Sequence, residues 1–360
     1  MKGFRFMCRI SALALLCNSA VFAQDAHLSQ FDAAPLFYNP ALAGTSPCEH
    51  RFIGNMKHQW GGVYRNYLLS YDRKLTSEDF NDKNIGGELG AGIMLNHNGG
   101  GAINQSTTEL RLIPAYHKYM KGSALKLSVG ANLDFSQSRV DEEAVVLPDG
   151  IEADLQSEGK FAFDIDLGAN IGATIMQKYP VNFGVAVFHL MRTRSSFYGE
   201  NKTGDKPRLS FNANTIIPVG TAFQVWPSAI YMNQKTYSDK AGGTNEMVGG
   251  SWVRYDISNQ VKQLDALMIG VFSRFTERST GVNNASRGIN ADSFIIGFAA
   301  EAPVATGVLN AGISYDVTIS DYTAMANKGE AGSFELSVKY YFCKRDFYYT
   351  PPAKLNPVFN

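Results

Sequence analysis

The stretch LNAGISYDVTI at residues 309–319 alternates strictly between apolar and polar side chains. Its apolar members are Leu309, Ala311, Ile313, Tyr315, Val317 and Ile319. A period of two predicts a β-strand with one apolar and one polar face. A strand of a soluble sandwich would show the same pattern, so this stretch predicts a strand without fixing its surroundings.

The alternation recurs along the chain, over residues 125–136 and 163–175 among others. Such runs of roughly 10 residues or more exceed the ~5–6 residues of an average strand in a soluble domain. Alternating segments of about 10 residues, each ended by turn residues, are typical of transmembrane β-barrels, whose apolar side chains face lipid and whose polar side chains face the lumen. The sequence therefore predicts an all-β fold, a transmembrane antiparallel barrel.

Residues 1–23 have the three parts of a secretory signal peptide. Lys2, Arg5 and Arg9 supply the charged region, residues 10–16 are apolar, and Val21-Phe22-Ala23 forms a small-residue cleavage site. We therefore expect cleavage after residue 23. A lipoprotein anchor at Cys17 is the alternative, but bulky Leu16 precedes this cysteine where a small residue is expected.

The charge and hydropathy of the chain limit the classes of partner and the cellular locations that the sequence predicts. Without residues 1–23 the chain has 30 basic and 33 acidic residues, so nothing in its charge predicts a nucleic-acid partner. No later apolar run reaches the ~18 residues of a transmembrane helix. Only helices and closed barrels satisfy every backbone polar group in hydrocarbon. We therefore expect a closed barrel in the bacterial outer membrane, with lipid around it.

The chain divides into four regions. Residues 1–23 are the signal peptide, and residues 24–49, which contain three prolines and no period, are predicted as a periplasmic or plugging segment. Residues 50–342 contain about 14 alternating segments, an even number, as in bacterial single-chain barrels. Residues 343–360, which contain three prolines, are predicted as a periplasmic tail.

The connections between the predicted strands alternate in length. Those at residues 118–123, 176–180, 218–221 and 303–306 are short, whereas those at 139–159, 193–207, 277–291 and 320–332 are long. Short periplasmic turns and long outer loops are typical of outer-membrane barrels, so both termini are predicted in the periplasm. The first hairpin departs from the pattern, because its connection at 60–63 is short and the next, at 75–85, is long.

Two cysteines follow the signal peptide, Cys48 before the first predicted strand and Cys343 after the last. Closure of an even-stranded barrel brings these two points together on the periplasmic rim, in an oxidising compartment. The sequence therefore predicts a disulfide between Cys48 and Cys343, and two unrelated free thiols are the alternative.

No motif predicts catalysis, a cofactor or a metal site. The six histidines show no metal-ligand spacing, and only His117 and His189 fit, loosely, an outer-membrane lipid hydrolase. Several charged residues alternate with apolar ones and are predicted to face the lumen, as solvated lining or as a solute-selective constriction. These residues are Asp134, Asp164, Asp166, Asp316 and Lys126.

Short motifs near both ends resemble one family. The motifs are Leu28-Ser29-Gln30-Phe31, Asn39-Pro40-Ala41 with Gly44, Ser314-Tyr315-Asp316-Val317 and Ser333-Phe334-Glu335-Leu336. Together they resemble the PorP/SprF family of the type IX secretion system of Bacteroidota. The resemblance extends over nearly all of the chain after the signal peptide. The 18-residue tail departs from it, since such chains are expected to end close to a terminal aromatic residue.

The resemblance implies a non-enzymatic outer-membrane component that supports secretion or surface attachment of cargo proteins and adhesins. It also implies docking of periplasmic secretion-system or peptidoglycan-linked subunits. A barrel of ~14 strands is too narrow to pass a folded protein, which favours an accessory or anchoring role over a conduit. The alternatives are a small-solute transport barrel of the fatty-acid-channel type and a purely structural barrel.

Overall fold

A computed structural model describes residues 27–75, 87–100, 104–120, 124–140, 159–176, 178–191, 206–235, 243–277, 289–319 and 332–343. Fourteen antiparallel strands form one sheet, and one of them, β8, is interrupted at Ile216. The strands are β1 His50–Gln59, β2 Tyr64–Leu75, β3 Glu88–Gly100, β4 Gln105–Tyr119, β5 Leu125–Arg139, β6 Lys160–Ile175, β7 Tyr179–Phe188, β8 Arg208–Thr215 with Ile217–Val219, β9 Phe223–Lys235, β10 Gly243–Asp256, β11 Ala266–Glu277, β12 Ile289–Val304, β13 Gly307–Thr318 and β14 Gly332–Phe342.

The sheet closes on itself. Each strand pairs with the next along the chain, and β1 pairs with β14 from His50 opposite Phe342 to Gln59 opposite Ser333. The two parts of β8 both pair with β9, so they act as one strand. The predicted antiparallel barrel of about 14 strands is thus confirmed. The first hairpin, the least regular in sequence, pairs His50 with Arg73.

The barrel has its apolar side chains outside and its polar side chains inside. On β13, Ile313 and Tyr315 are 45% and 50% exposed, whereas Asn310 and Asp316 are each 1% exposed. A soluble protein would bury the first pair and expose the second. This inverted distribution is the one expected of strands that face lipid on one side and a filled interior on the other.

Aromatic contacts cluster on the outer surface towards both ends of the barrel. At one end Phe52 packs on Tyr71 with ring centroids 4.6 Å apart, and Phe223 stacks on Tyr255 at the same distance. At the other end the ring of His58 lies 5.8 Å from that of Tyr67. Aromatic girdles of this kind mark the two interfaces of a membrane barrel.

The two ends of the barrel are distinct. We call the end with Cys48 and Cys343 the disulfide rim, and the opposite end, where β1 finishes at Gln59, the far rim. Connections at the disulfide rim include the short turns at 176–178, 220–222 and 305–306, and the far rim has the long connections at 140–159 and 189–207. The predicted outer loops, the signal peptide and the tail beyond residue 343 lie almost wholly outside the described residues.

Within the described ranges, no helix has the length and apolar character needed to cross a membrane.

Candidate functional site

Residues 27–47, which we call the plug, fold inside the barrel as three short turns. These are 3-10 turns at Phe31–Ala33 and Pro40–Leu42 and a single α-helical turn at Pro35–Tyr38. Pro35 and Pro40 each stand at the first position of a turn, where the missing N–H of proline costs no hydrogen bond. Asn39 caps the last turn, since its Oδ1 accepts a hydrogen bond of 2.9 Å from the Ala41 backbone N–H.

The plug brings an apolar core into the lumen. Six large plug side chains are at most 1% exposed, namely Leu28, Phe31, Leu36, Phe37, Tyr38 and Leu42. They pack against inward-facing apolar residues of the wall, among them Met94, Ile113, Ile230, Trp252, Met268 and Phe272. The Tyr38 hydroxyl lies 3.5 Å from the Leu28 carbonyl oxygen. The lumen at this level is therefore a packed interior.

Buried charges hold the first part of the plug near the far rim. The backbone N–H groups of Ser29 and Gln30 donate to the two carboxylate oxygens of Glu335 at 2.6 and 3.0 Å. The Ser29 hydroxyl also bonds Asp316 Oδ2 at 2.5 Å and the Lys57 ammonium. Lys57 Nζ in turn lies 3.0 Å from Asp316 Oδ2. Strands β1, β13 and β14 thus share one ionic network with the plug.

A second group of buried charges adjoins this network and is joined to it by Arg274 of β11. Its guanidinium lies 3.0 Å from Asp316, 3.3 Å from Glu246 and 3.4 Å from the Leu28 carbonyl oxygen. His27, the first described residue, pairs with the same Glu246. Charges buried this deeply are stable only when they are paired, and the plug supplies part of that pairing.

Two arginines hold the middle of the plug through its Phe37 ring. The guanidinium carbons of Arg111 and Arg208 lie 5.4 and 5.5 Å from the ring centroid. Arg208 also lies over Phe188 of the wall, at 4.3 Å. Arg111 is paired with Asp134 at 2.9 Å. Cation–π contacts at such distances stabilise by about 0.5–2 kcal/mol each.

The end of the plug is fixed at the disulfide rim. The Gly44 N–H donates to Asp72 Oδ2 at 2.7 Å, and Arg51, paired with Asp72 at 2.8 Å, donates to the Leu42 carbonyl. His117 Nε2 lies 2.8 Å from the Ala43 carbonyl oxygen. All of these wall side chains are buried.

Glycines of the wall make room for the plug backbone. A methyl group at Gly130 would lie 2.5 Å from the Pro40 carbonyl oxygen, and one at Gly312 would lie 2.7 Å from Gln30 Oε1. At Gly168 it would overlap Asn39 Oδ1 and stand 2.8 Å from Pro40 Cδ. These positions therefore act as sockets into which the plug fits.

The residues singled out from the sequence fall into two sets. Asn39, Pro40, Ala41 and Gly44 all lie in the plug, in contact with the wall. The charged residues predicted to face the lumen are at most 8% exposed. Those charged residues are Asp134, Asp164, Asp166, Asp316 and Lys126.

The lumen-facing charges differ in their partners. Asp316 bonds the plug directly, and Asp134 holds Arg111 beneath Phe37. Asp164 and Asp166 accept the backbone N–H groups of residues 191 and 189, both at 2.9 Å. The Lys126 ammonium lies 5.3 Å from the centre of the Tyr119 ring, close to the disulfide rim. Most of these five charged side chains therefore stabilise the barrel wall or the plug through hydrogen bonds and ion pairs.

Cys48 and Cys343 are joined in a disulfide, with Cα atoms 4.8 Å apart and 295 residues between them in sequence. Both side chains are buried beside Tyr341. The bond connects the residue directly after the plug to the residue directly after β14, next to the junction where β1 and β14 pair.

The two histidines considered for hydrolysis have structural surroundings. His117 is fully buried, and its ring nitrogens contact Ser128 Oγ and the Ala43 carbonyl, both at 2.8 Å. His189 Nδ1 lies 3.4 Å from Asp164 Oδ2. No three or more His, Cys, Asp or Glu side chains group to hold a metal within the part of the chain that the structure describes.

Sequence reasoning missed Lys57, Arg274, Glu335 and the wall glycines as plug contacts. Alternation places Lys57 on the polar face of β1, and Glu335 likewise on β14. Their meeting with Ser29 depends on the barrel register and on the path of residues without any period, so no local pattern could reveal it.

The profile of a family described as "Type IX secretion system membrane protein PorP/SprF" matches residues 20–340. A search of curated protein sequences found no significant match.

Solved outer-membrane proteins are similar in fold only. A TodX monoaromatic hydrocarbon channel mutant is 10% identical with a TM-score of 0.47, over 87% of this chain and 94% of the other. A Pseudomonas aeruginosa FadL homologue is 9% identical with a TM-score of 0.43, over 81% and 88%. CdiB from Acinetobacter baumannii is 10% identical with a TM-score of 0.46, over 82% and 60%.

Proposed function

Because the chain belongs to the PorP/SprF family of type IX secretion system membrane proteins, we propose that it serves as a sealed anchor beside the secretion path. The protein is an outer-membrane barrel of this secretion system. In the proposed role it is not an enzyme: it supports secretion or holds secreted cargo and adhesins at the cell surface, and it docks periplasmic secretion-system or peptidoglycan-linked subunits.

The filled lumen is the observation that supports an anchor. A barrel of ~14 strands is already too narrow for a folded protein. Passage of an unfolded chain would require the plug to leave, which exposes its six large apolar side chains. At about 1.5–3 kcal/mol for each side chain, emptying the lumen costs on the order of 10 kcal/mol before any buried charge is counted. The resting protein is therefore closed.

The division between the two rims supports two kinds of contact. We propose that cargo binds the long connections of the far rim, above all residues 141–158, and that machine subunits bind at the disulfide rim, where the turns are short. In this orientation the far rim faces the outside of the cell, as the long loops of outer-membrane barrels do.

The test combines recovery of partners with conductance. Purification from solubilised outer membranes should recover periplasmic subunits together with surface cargo. Removal of residues 141–158 should release the cargo while the periplasmic subunits remain. A variant that replaces 141–158 by a Gly/Ser sequence of equal length is the matched control for loop spacing and should behave like the deletion.

Planar bilayers separate the anchor from the transport alternative. A silent barrel supports the anchor, whereas a steady pore with a preference for one solute would support a transport barrel of the fatty-acid-channel type. Cargo that stays bound after loss of residues 141–158 would contradict the proposed cargo surface.

A further inference from the structure

The plug does not enter and leave the barrel by the same end. Its last residues contact Arg51, near the start of β1, where Arg51 donates to the Leu42 carbonyl. Its first described residue, His27, has its carbonyl oxygen 3.4 Å from Nε2 of Gln59, the last residue of β1. The plug therefore spans β1 from the disulfide rim to the far rim.

The intermediate contacts follow the same direction. Ala43 contacts His117 near the disulfide-rim end of β4, and Asn39 contacts the middle of β6 and β8 through the Ala169 carbonyl and Asn212. Ser29 contacts Asp316 near the far-rim end of β13. Asp32 still reaches Lys339 in the disulfide-rim half of β14, so the final rise to the far rim is made by the residues before Asp32.

The distance covered is close to the thickness of the membrane. Gln59 follows Arg51 by eight positions, and at ~3.3 Å per residue this part of β1 is about 26 Å long. A strand tilt of ~40° shortens the rise along the barrel axis to about 20 Å. The hydrocarbon core of a bilayer is about 30 Å thick, so the plug crosses most of it.

We propose that the chain threads its own barrel, so that the residues before His27 leave through the far rim and the residues after Cys343 leave at the disulfide rim, on opposite sides of the outer membrane. This proposal replaces the expectation from loop lengths that both termini are periplasmic. The residues before His27 are too few to return to the disulfide rim, which lies about 20 Å away along the barrel axis. With cleavage after residue 23, three residues precede His27, and they span at most about 10 Å. The new amino terminus therefore lies at the cell surface.

This placement gives the far rim a second kind of surface besides its loops. His27 is partly exposed there, with a side-chain exposure of 33%, beside the buried Glu246 carboxylate. The inference uses the rim assignment of the proposed function but does not depend on secretion activity.

Chain ends can be located by labelling of single thiols. Both cysteines that follow the signal peptide are joined in the disulfide, so Asp25→Cys and Asn360→Cys each add one thiol, one before the plug and one after Cys343. A membrane-impermeant maleimide is applied to intact and to permeabilised cells. A thiol placed in residues 141–158, as Asp149→Cys, reports the far rim. Mass measurement confirms cleavage after residue 23 in each variant.

We expect Asp25→Cys and Asp149→Cys to label equally in intact and permeabilised cells, and Asn360→Cys to gain label at least about tenfold on permeabilisation. Labelling of Asp25→Cys only after permeabilisation would overturn the threading. So would equal behaviour of the Asp25→Cys and Asn360→Cys thiols. If the Asp25→Cys chain fails to assemble, a short epitope inserted after residue 24 and detected by an antibody on intact cells gives the same two outcomes. Threading can fail while cargo binding holds, and the reverse, so the two proposals are separable.

Discussion

Gly168→Ala should increase the population of barrels with an unseated plug while the strands of the barrel remain folded. The added methyl group would overlap Asn39 Oδ1 and lie 2.8 Å from Pro40 Cδ. Neither neighbour can move freely, because Pro40 is rigid and Asn39 is fixed by hydrogen bonds. The plug must therefore shift away from β6.

The magnitude follows from the contacts of Asn39. Its side chain accepts from Ala41 at 2.9 Å and donates to the Ala169 carbonyl at 3.1 Å and to Asn212 at 3.0 Å. Overpacking costs about 1–3 kcal/mol, and each lost hydrogen bond costs about 1 kcal/mol. Partial relaxation gives about 2–5 kcal/mol against the seated plug. At 1.4 kcal/mol for each factor of ten, the unseated population rises about 30-fold to several thousand-fold.

Limited proteolysis in detergent measures this population. Cleavage within residues 27–47, located by mass spectrometry, tracks the open population when opening is fast relative to cleavage. The folded barrel is monitored in the same samples by the change of gel mobility on boiling. We expect plug cleavage to accelerate by at least about 30-fold with barrel mobility unchanged.

Gly249→Ala is the matched control. A methyl group at Gly249 would meet its nearest atom, the Ala229 Cβ, at 3.7 Å, an ordinary contact distance. A plug as protected in Gly168→Ala as in the wild type would refute the socket assignment. Equal acceleration in both variants would show that the effect comes from strand propensity and not from the plug.

Three further predictions concern the disulfide, the ionic network and the membrane face. Cys48→Ser should lower the free energy of unfolding by up to about 5–6 kcal/mol in a chain-entropy treatment of so long a loop; reductant should mimic it in the wild type, and a wild type that is insensitive to reductant would contradict this. Lys57→Met should lower the free energy of unfolding, measured by urea titration, by about 3–5 kcal/mol, because it leaves buried carboxylates unpaired. Lys74→Met, the control, breaks a partly exposed pair and should lower it by at most about 1 kcal/mol. Equal losses in the two variants would contradict a stabilising role for the buried network. Val271→Arg, on the exposed middle of β11, should cost about 2–4 kcal/mol in lipid vesicles while Val271→Leu is near neutral, and a tolerated arginine would place this face away from lipid.

The strands were predictable because the alternation of apolar and polar residues within each strand shows which side chains face lipid and which face the lumen. Alternation at residues 309–319 needs no partner to be seen, and β1 begins and ends where the sequence predicts it. The strand count followed from the same local signal. The pairing of Cys48 with Cys343 remained a prediction from barrel closure, and the structure brings the two together.

The plug was only half visible in the sequence. Prolines and the absence of a period predicted an irregular segment, but its place in the lumen depends on contacts with at least ten strands. A glycine such as Gly168 looks in sequence like tolerance for a wet interior. Its use as a socket appears only when residues more than a hundred positions apart are brought together.

Cys48 directly follows the plug, and a single residue separates it from His50, the first residue of β1. The disulfide ties Cys48 to the residue after the last strand. A plug that leaves the lumen therefore stays tethered beside the junction of the first and last strands, so it can return to the same place and cannot diffuse away.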